Sequence, residues 1–259
     1  MIDIEKAKNV FKEYVKKYDD TNPKIKMKII HILKVAENSK KIATDLNLSE
    51  EDIVLAELIG LLHDIGRFEQ VRIYNTFMDS VSINHSIQGI KVLFEEGLIR
   101  EFVEEDKYDE IIYKAVINHN RNFIEEGLTQ RELLHSKIIR DSDKLDIYRV
   151  VMEEEKIEDV LSVKTDDVSK ELISDAIYNQ YIKGEHLDYS ERKTNIDIII
   201  SWCAFVYDFN FEESLEKIKK EDYINRIIDR VDYKDTVTKE RMENVRKIAN
   251  EYILNKCKG

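Results

Sequence analysis

Residues 49–67 read SEEDIVLAELIGLLHDIGR, and this stretch decides the fold. Ser49 followed by Glu50, Glu51 and Asp52 has the wording of a helix N-terminus. The run Ile53, Val54, Leu55, Ala56, Leu58, Ile59, Leu61 and Leu62 is then apolar on nearly every side of a helical wheel. Such a helix is expected to lie at the centre of a core rather than on its surface. Gly66 reads as its stop. Just before that stop stands His63-Asp64, and a carboxylate almost never enters apolar surroundings unpaired. A divalent cation would meet that need, because neutral imidazole and carboxylate are the usual nitrogen and oxygen ligands of manganese, iron, cobalt, nickel or zinc.

Outward from this stretch the pattern stays helical. Ile29, Ile30, Leu33, Val35, Ala36, Ile42 and Leu46 are spaced as an amphipathic helix ahead of it. His85 opens another, with Ile87, Ile90, Val92, Leu93 and Phe94, ending near Gly97. Residues 108–118 carry Ile111, Ile112, Ala115, Val116 and Ile117. Thr129-Gln130-Arg131-Glu132 reads as a second helix cap, before Leu133, Leu134, Ile138 and Ile139. Residues 166–182 and 194–209 read as further helices, and 218–231 and 238–254 as charged amphipathic ones. Residues 184–192 are the most loop-like of the second half, and the charge run 153–158 reads as a solvated helix face. No alternating strand pattern, internal repeat or Pro/Gly/Ser-rich linker interrupts the chain. The expected fold is all-α, one domain over residues 1–259. Its core spans about residues 25–150, and further helices are added over about 151–259.

Composition agrees. Of 259 residues only 7 are Gly and 1 is Pro, too few for a turn-rich sandwich, a barrel or a glycine-loop nucleotide fold. Hydrophobic residues at 42% supply a sizeable core and exclude a disordered chain. A net charge of −12 disfavours nucleic-acid polymers and anionic membranes as partners. It leaves room for a small phosphorylated ligand, because a bound metal inverts the local field. Cys203 and Cys257 form no zinc or redox spacing and read as incidental thiols. Residues 1–17 hold no apolar signal region, and no apolar run is long and uncharged enough to span a bilayer. A cytoplasmic protein is therefore expected.

Six histidines occur. His135 and His186 read as ordinary structural or surface residues. The other four fall in the order His31, His63-Asp64, His85, His119, followed by Asp143 within Arg140-Asp141-Ser142-Asp143-Lys144-Leu145-Asp146. This set resembles the H…HD…D signature of the HD-domain metal-dependent phosphohydrolase superfamily, over about residues 25–150. With His85 and His119 between the pair and the last Asp, it is similar to the dinuclear branch. The mononuclear nucleotidase branch has a Glu where this chain has Arg67. The wording His63-Asp64-Ile65-Gly66-Arg67 is close to that of the cyclic-dinucleotide phosphodiesterases. Their Gly-Tyr-Pro motif is missing, for His119 is followed by Asn120 and the one proline is Pro23.

The resemblance implies that His31, His63, Asp64, His85, His119 and Asp143 hold two divalent ions drawn from iron, manganese, nickel, zinc or magnesium, with Asp64 bridging them. It implies Lys144 as a phosphate contact and Asp141 and Asp146 as supporting residues, Asp141 as an acceptor behind the ligands or a helix cap. Arg67 is added as a second anion contact because it lies close to Asp64. The chemistry expected is hydrolysis of a phosphomonoester or phosphodiester, nucleotide-like or otherwise, by a metal-activated hydroxide, with Lys144 and Arg67 stabilising the phosphoryl charge. Arg67 stays protonated and cannot donate a proton to the leaving group. Two alternatives use the same ligands: a di-iron oxygenase, and a regulatory module that binds without turnover. Oligomeric state leaves no trace in the sequence.

Overall fold

The computed structural model describes residues 2–19, 21–153, 157–161, 163–184 and 187–257. His186 and parts of the 153–158 and 184–192 stretches lie outside the described residues. Among those described there is no strand, and the chain is all-α as expected. It divides into two compact units, Met1–Asp146 and Ile147–Gly259.

The first unit contains α1 (Ile4–Val15), α2 (Pro23–Asp45), α3 (Glu50–Leu62), α4 (Gly66–Tyr74), α5 (His85–Ile90), α6 (Ile99–Phe102), α7 (Asp109–Asn118) and α8 (Gln130–Glu153), which ends in the second unit. It takes in one helix, α1, that the expected core left out. α2 starts where Asn22 caps Lys24 N and Pro23 fills the first position, which needs no amide donor. Ser49 caps α3 through Asp52 N. Thr129 and Glu132 cap α8 reciprocally, each side chain accepting the other's amide.

α3 is the buried centre foreseen from its sequence, with Leu55, Leu58, Leu61 and Leu62 fully enclosed. They pack with Ile32 and Val35 of α2, Phe11 of α1, Phe68 of α4, and Ile112 and Val116 of α7. Gly60 makes the α2–α3 crossing possible: a Cβ there would stand 2.6 Å from Ala36 Cα. Glu57 is also buried on α3, and Lys8 and Lys40 reach it at 2.8 and 3.0 Å, so its charge is met from α1 and α2.

Gly66 corrects the reading of a helix stop. α3 ends at Leu62, and Gly66 begins α4 instead. Its value lies in contact, since a Cβ at Gly66 would come within 2.3 Å of His85 O and 2.4 Å of Gly89 N. α4 and α5 can therefore approach only through glycine, and that approach carries His85 toward Asp64. α5 runs into a wide turn at Lys91–Glu95 before Gly97 takes a left-handed φ of 81°.

The second unit contains α9 (Ile157–Leu161), α10 (Thr165–Val168), α11 (Asp175–Ile182), α12 (Asn195–Ala204), α13 (Glu212–Lys220), α14 (Tyr223–Ile228) and α15 (Thr236–Lys256). The single helix expected over 166–182 is two, because Ser174 leaves the helix to hydrogen-bond Asp197. The helix expected over 218–231 is also split: α13 ends, and Asp222 turns the backbone left-handed at φ 55° before α14. Tyr148 is a core residue stacked on Phe209 and Tyr223. Cys203 is buried and Cys257 half-buried, and both are free thiols. Among the described residues no helix is long and apolar enough to cross a membrane.

Candidate metal centre

The first unit brings the six predicted side chains together from five helices. His31 comes from the middle of α2, His63 and Asp64 follow α3, His85 opens α5, His119 follows α7, and Asp143 lies in α8. Three trios have ligand atoms within 4.8 Å of one another: His31 with His63 and Asp64, His63 with His119 and Asp143, and Asp64 with His85 and His119. Asp64 belongs to two of the three, as do His63 and His119. Asp64 Oδ2 lies 3.6 Å from both His31 Nε2 and His63 Nε2, and Asp64 Oδ1 lies 3.3 and 3.6 Å from His85 Nε2 and His119 Nε2. Asp143 Oδ1 stands 3.2 Å from His31 Nε2 and 3.8 Å from His63 Nε2.

Each ring is aimed by a bond on its far side. His63 Nδ1 donates to Gly60 O at 2.7 Å and His119 Nδ1 to Val116 O at 2.6 Å. Both are a helix's last free carbonyls, met by the histidine that ends it. His31 Nδ1 donates to Asp146 at 2.7 Å and His85 Nδ1 to Asp79 at 2.6 Å. All four acceptors lack a proton to give, so each ring carries its hydrogen on Nδ1. A neutral ring then turns a bare lone pair inward from Nε2. His85 Nε2 and His119 Nε2 face each other at 2.9 Å. Buried His31 Nε2, His63 Nε2 and Asp64 Oδ1 receive no hydrogen bond among the described residues.

Inward lone pairs, orphaned acceptor atoms and outward N–H bonds to carboxylates or carbonyls are the arrangement of metal-ligating histidines. Electrostatics points the same way. Burial pushes His63 down to about 3 and His85 to about 4, so both rings are neutral at ordinary pH. Burial would raise Asp64, but Lys28, His63 and Arg67 hold it well below the usual carboxylate range. At His31, burial and Lys28 both act downward, yet Asp143, Asp146 and Asp64 together lift the ring to about 10. Metal-free, the three carboxylates hold a proton where a cation fits, and metal binding would release it.

Of the expected supporting residues, Asp146 orients His31, while Asp141 is buried inside α8, where it cannot cap that helix. Lys144 is buried one position after Asp143, turned about 100° from it around the helix. Arg67 is a wall of the site. Its Nη1 donates to Gln70 at 2.8 Å, to Phe77 O at 2.6 Å and to Asp79 at 2.8 Å, and its Nε lies 3.5 Å from Asp64 Oδ1.

Two participants went unread in the sequence. Asp79 orients His85 and sits at about 2, since the hydrogen bond from His85 and the charge of Arg67 overcome its burial. Nothing in the chain ties this loop residue to a ring six positions on. Lys28 Nζ is 2.5 Å from Asp64 Oδ2, and one helical turn from His31 was the signal for it.

The model of the HD domain family matches residues 29–148. Comparison with curated proteins and with solved structures returns no match. The matched segment begins two residues before His31 and ends beyond Asp143, so it holds all six converging side chains. Residues 29–148 are thus similar to the HD domain family over the stretch that carries the site.

Proposed function

We propose that this protein is a metal-dependent phosphohydrolase acting on a small phosphomonoester or phosphodiester, with two divalent ions as cofactors. The observation that carries the reading is Asp64 standing between two histidine pairs, one per carboxylate oxygen, with Nε2 of all four rings turned toward it. The similarity of residues 29–148 to the HD domain, whose superfamily is mostly metal-dependent hydrolases, supports it. His31, His63, Asp64 and Asp143 would hold one ion, and Asp64, His85 and His119 the other. Bound there, divalent ions neutralise phosphoryl oxygens and acidify a water into a nucleophile at neutral pH.

The chain's own residues do the rest. Asp146, Asp79, Gly60 and Val116 hold the four rings in one tautomer, so no reorganisation precedes binding. Lys28 rests on Asp64 and is the cation best placed to turn to an arriving phosphate. Arg67 keeps Asp64 and Asp79 in register, and Lys144 stands in reserve as the anion contact its motif implies. A cationic pair beside the site favours an anionic substrate over dioxygen.

Elemental analysis together with a phosphoester panel tests this. Wild type is expected to hold close to two metal ions, His85→Ala/His119→Ala close to one. His63→Ala and Asp64→Ala are expected to release no phosphate. Turnover surviving either change, or turnover that needs iron and consumes oxygen, overturns the reading.

A further inference from the structure

Lys24, Met27, Lys28 and His31 recur at three- and four-residue steps and so share one stripe of α2. The stripe faces the chain that follows α4. Lys24 Nζ donates to Asn75 O at 2.8 Å, and Lys28 Nζ lies 5.6 Å from the centre of the Phe77 ring. Arg67 Cζ lies 5.8 Å from the same ring. Phe77 thus shares both cationic neighbours with Asp64, which Lys28 and Arg67 touch at 2.5 and 3.5 Å. Next in the chain to Lys28 and Phe77, Met27 is 40% and Met78 61% exposed. An aromatic ring therefore borders the cations that reach Asp64, with an exposed methionine adjacent in the chain to Lys28 and another to Phe77.

From this juxtaposition we infer that the site takes a phosphate ester whose organic part is apolar, an aryl or alkyl group, with Phe77, Met27 and Met78 as its specificity-determining residues. The inference rests on the phosphohydrolase reading. Lys28 and Arg67 beside Asp64 suit the phosphoryl end, while ring and thioether surfaces offer the other end no hydrogen bond. Binding sites divide their labour this way: polar groups orient, and apolar walls supply the affinity. Methionine is the side chain that adapts best to groups of varied shape. Burial of the organic group covers apolar surface that now faces water.

Two non-hydrolysable probes test it. Methylphosphonate and phenylphosphonate are titrated calorimetrically into the manganese-loaded full chain. Phenylphosphonate is expected to bind roughly tenfold more tightly, the gain from covering one ring. Phe77→Ala should bring the ratio near one. Met78→Gln, at an exposed position that folding does not need, should lower it severalfold, with methylphosphonate affinity held. Equal binding of both probes to wild type, or a ratio untouched by both variants, overturns the inference and leaves the phosphohydrolase reading standing. Binding of neither probe overturns both. A wild-type dimer that Met78→Gln converts to monomer assigns the apolar rim to self-association and also overturns the inference.

Discussion

Asp64 and Asp197 are both buried carboxylates, one in each unit, and their surroundings are opposite. Asp197 receives Ser174 N, Ser174 Oγ, Lys193 N and Thr194 N at 2.6 to 3.2 Å, all uncharged donors of its own unit. Its charge is satisfied by protein alone, and its work is to splice α11 to α12. Asp64 has Lys28 on one oxygen, while Oδ1 receives no hydrogen bond and faces imidazole lone pairs. Burial alone therefore does not mark a functional acid. What separates the two is whether the fold supplies donors or withholds them, because a buried acceptor left unmet costs more than a met one gains.

Exchanging the charge in each place breaks the comparison most sharply. Asp64→Asn is expected to abolish metal uptake and phosphate release while the metal-free protein keeps its melting temperature. Asp197→Ala is expected to cost on the order of 3 kcal/mol of stability, by stranding buried donors, with metal content held. Elemental analysis beside thermal unfolding reads both. Metal loss in Asp197→Ala at temperatures where it stays folded would falsify the division. A chelator sharpens it further: wild type should melt lower once stripped, by about 2.7 kcal/mol for an ion present at a hundred times its Kd, and Asp64→Asn should not respond.

A middle-sized effect is expected at Asp79, which holds a ring without belonging to any trio. Asp79→Asn should weaken metal affinity roughly 10- to 100-fold at the His85 side, by freeing the ring to turn. Unchanged affinity in a competition titration would mean that Asn84, whose side chain caps α5 through Ser86 N and Ile87 N, and the α4–α5 contact suffice to aim His85.

The smallest effect belongs to Asp52, at the opposite end of α3 from His63. Burial pushes its carboxyl up, but hydrogen bonds from His135, Ser49 and Arg131 hold it at about 2. A carboxyl lowered in the folded state stabilises the fold above its unfolded pKa. That share is lost as pH falls from about 4 toward about 2. Urea midpoints of wild type and Asp52→Asn should therefore converge on acidification, and parallel curves would show that the pair contributes no pH dependence.

How much was legible follows from range. α3 and its cap were readable because periodicity and a Ser-x-x-Asp cap are local. The six histidine and aspartate side chains could be picked out because their order along the chain resembles the HD-domain signature. Lys28 was half legible, its turn from His31 written in the sequence but its reach to Asp64 not. Asp79, Phe77 and Met78 were illegible, since a loop between α4 and α5 has no period to place it. Gly66 was misread for the same reason. A stop signal looks local, yet this glycine answers to His85 O and Gly89 N, which belong to another helix.

The sequence by itself determined that the chain is helical, which helix lies at its centre, and which residue types could serve a cation, because propensity, periodicity and donor chemistry belong to each residue and its near neighbours. Tertiary structure alone decided that one carboxylate stands between two histidine pairs, that each ring turns Nε2 inward, and that Lys28 and Phe77 border the site. Those are distances between residues tens of positions apart, and they arise only when α2, α3, α5, α7 and α8 are packed at the separations that Gly60 and Gly66 permit.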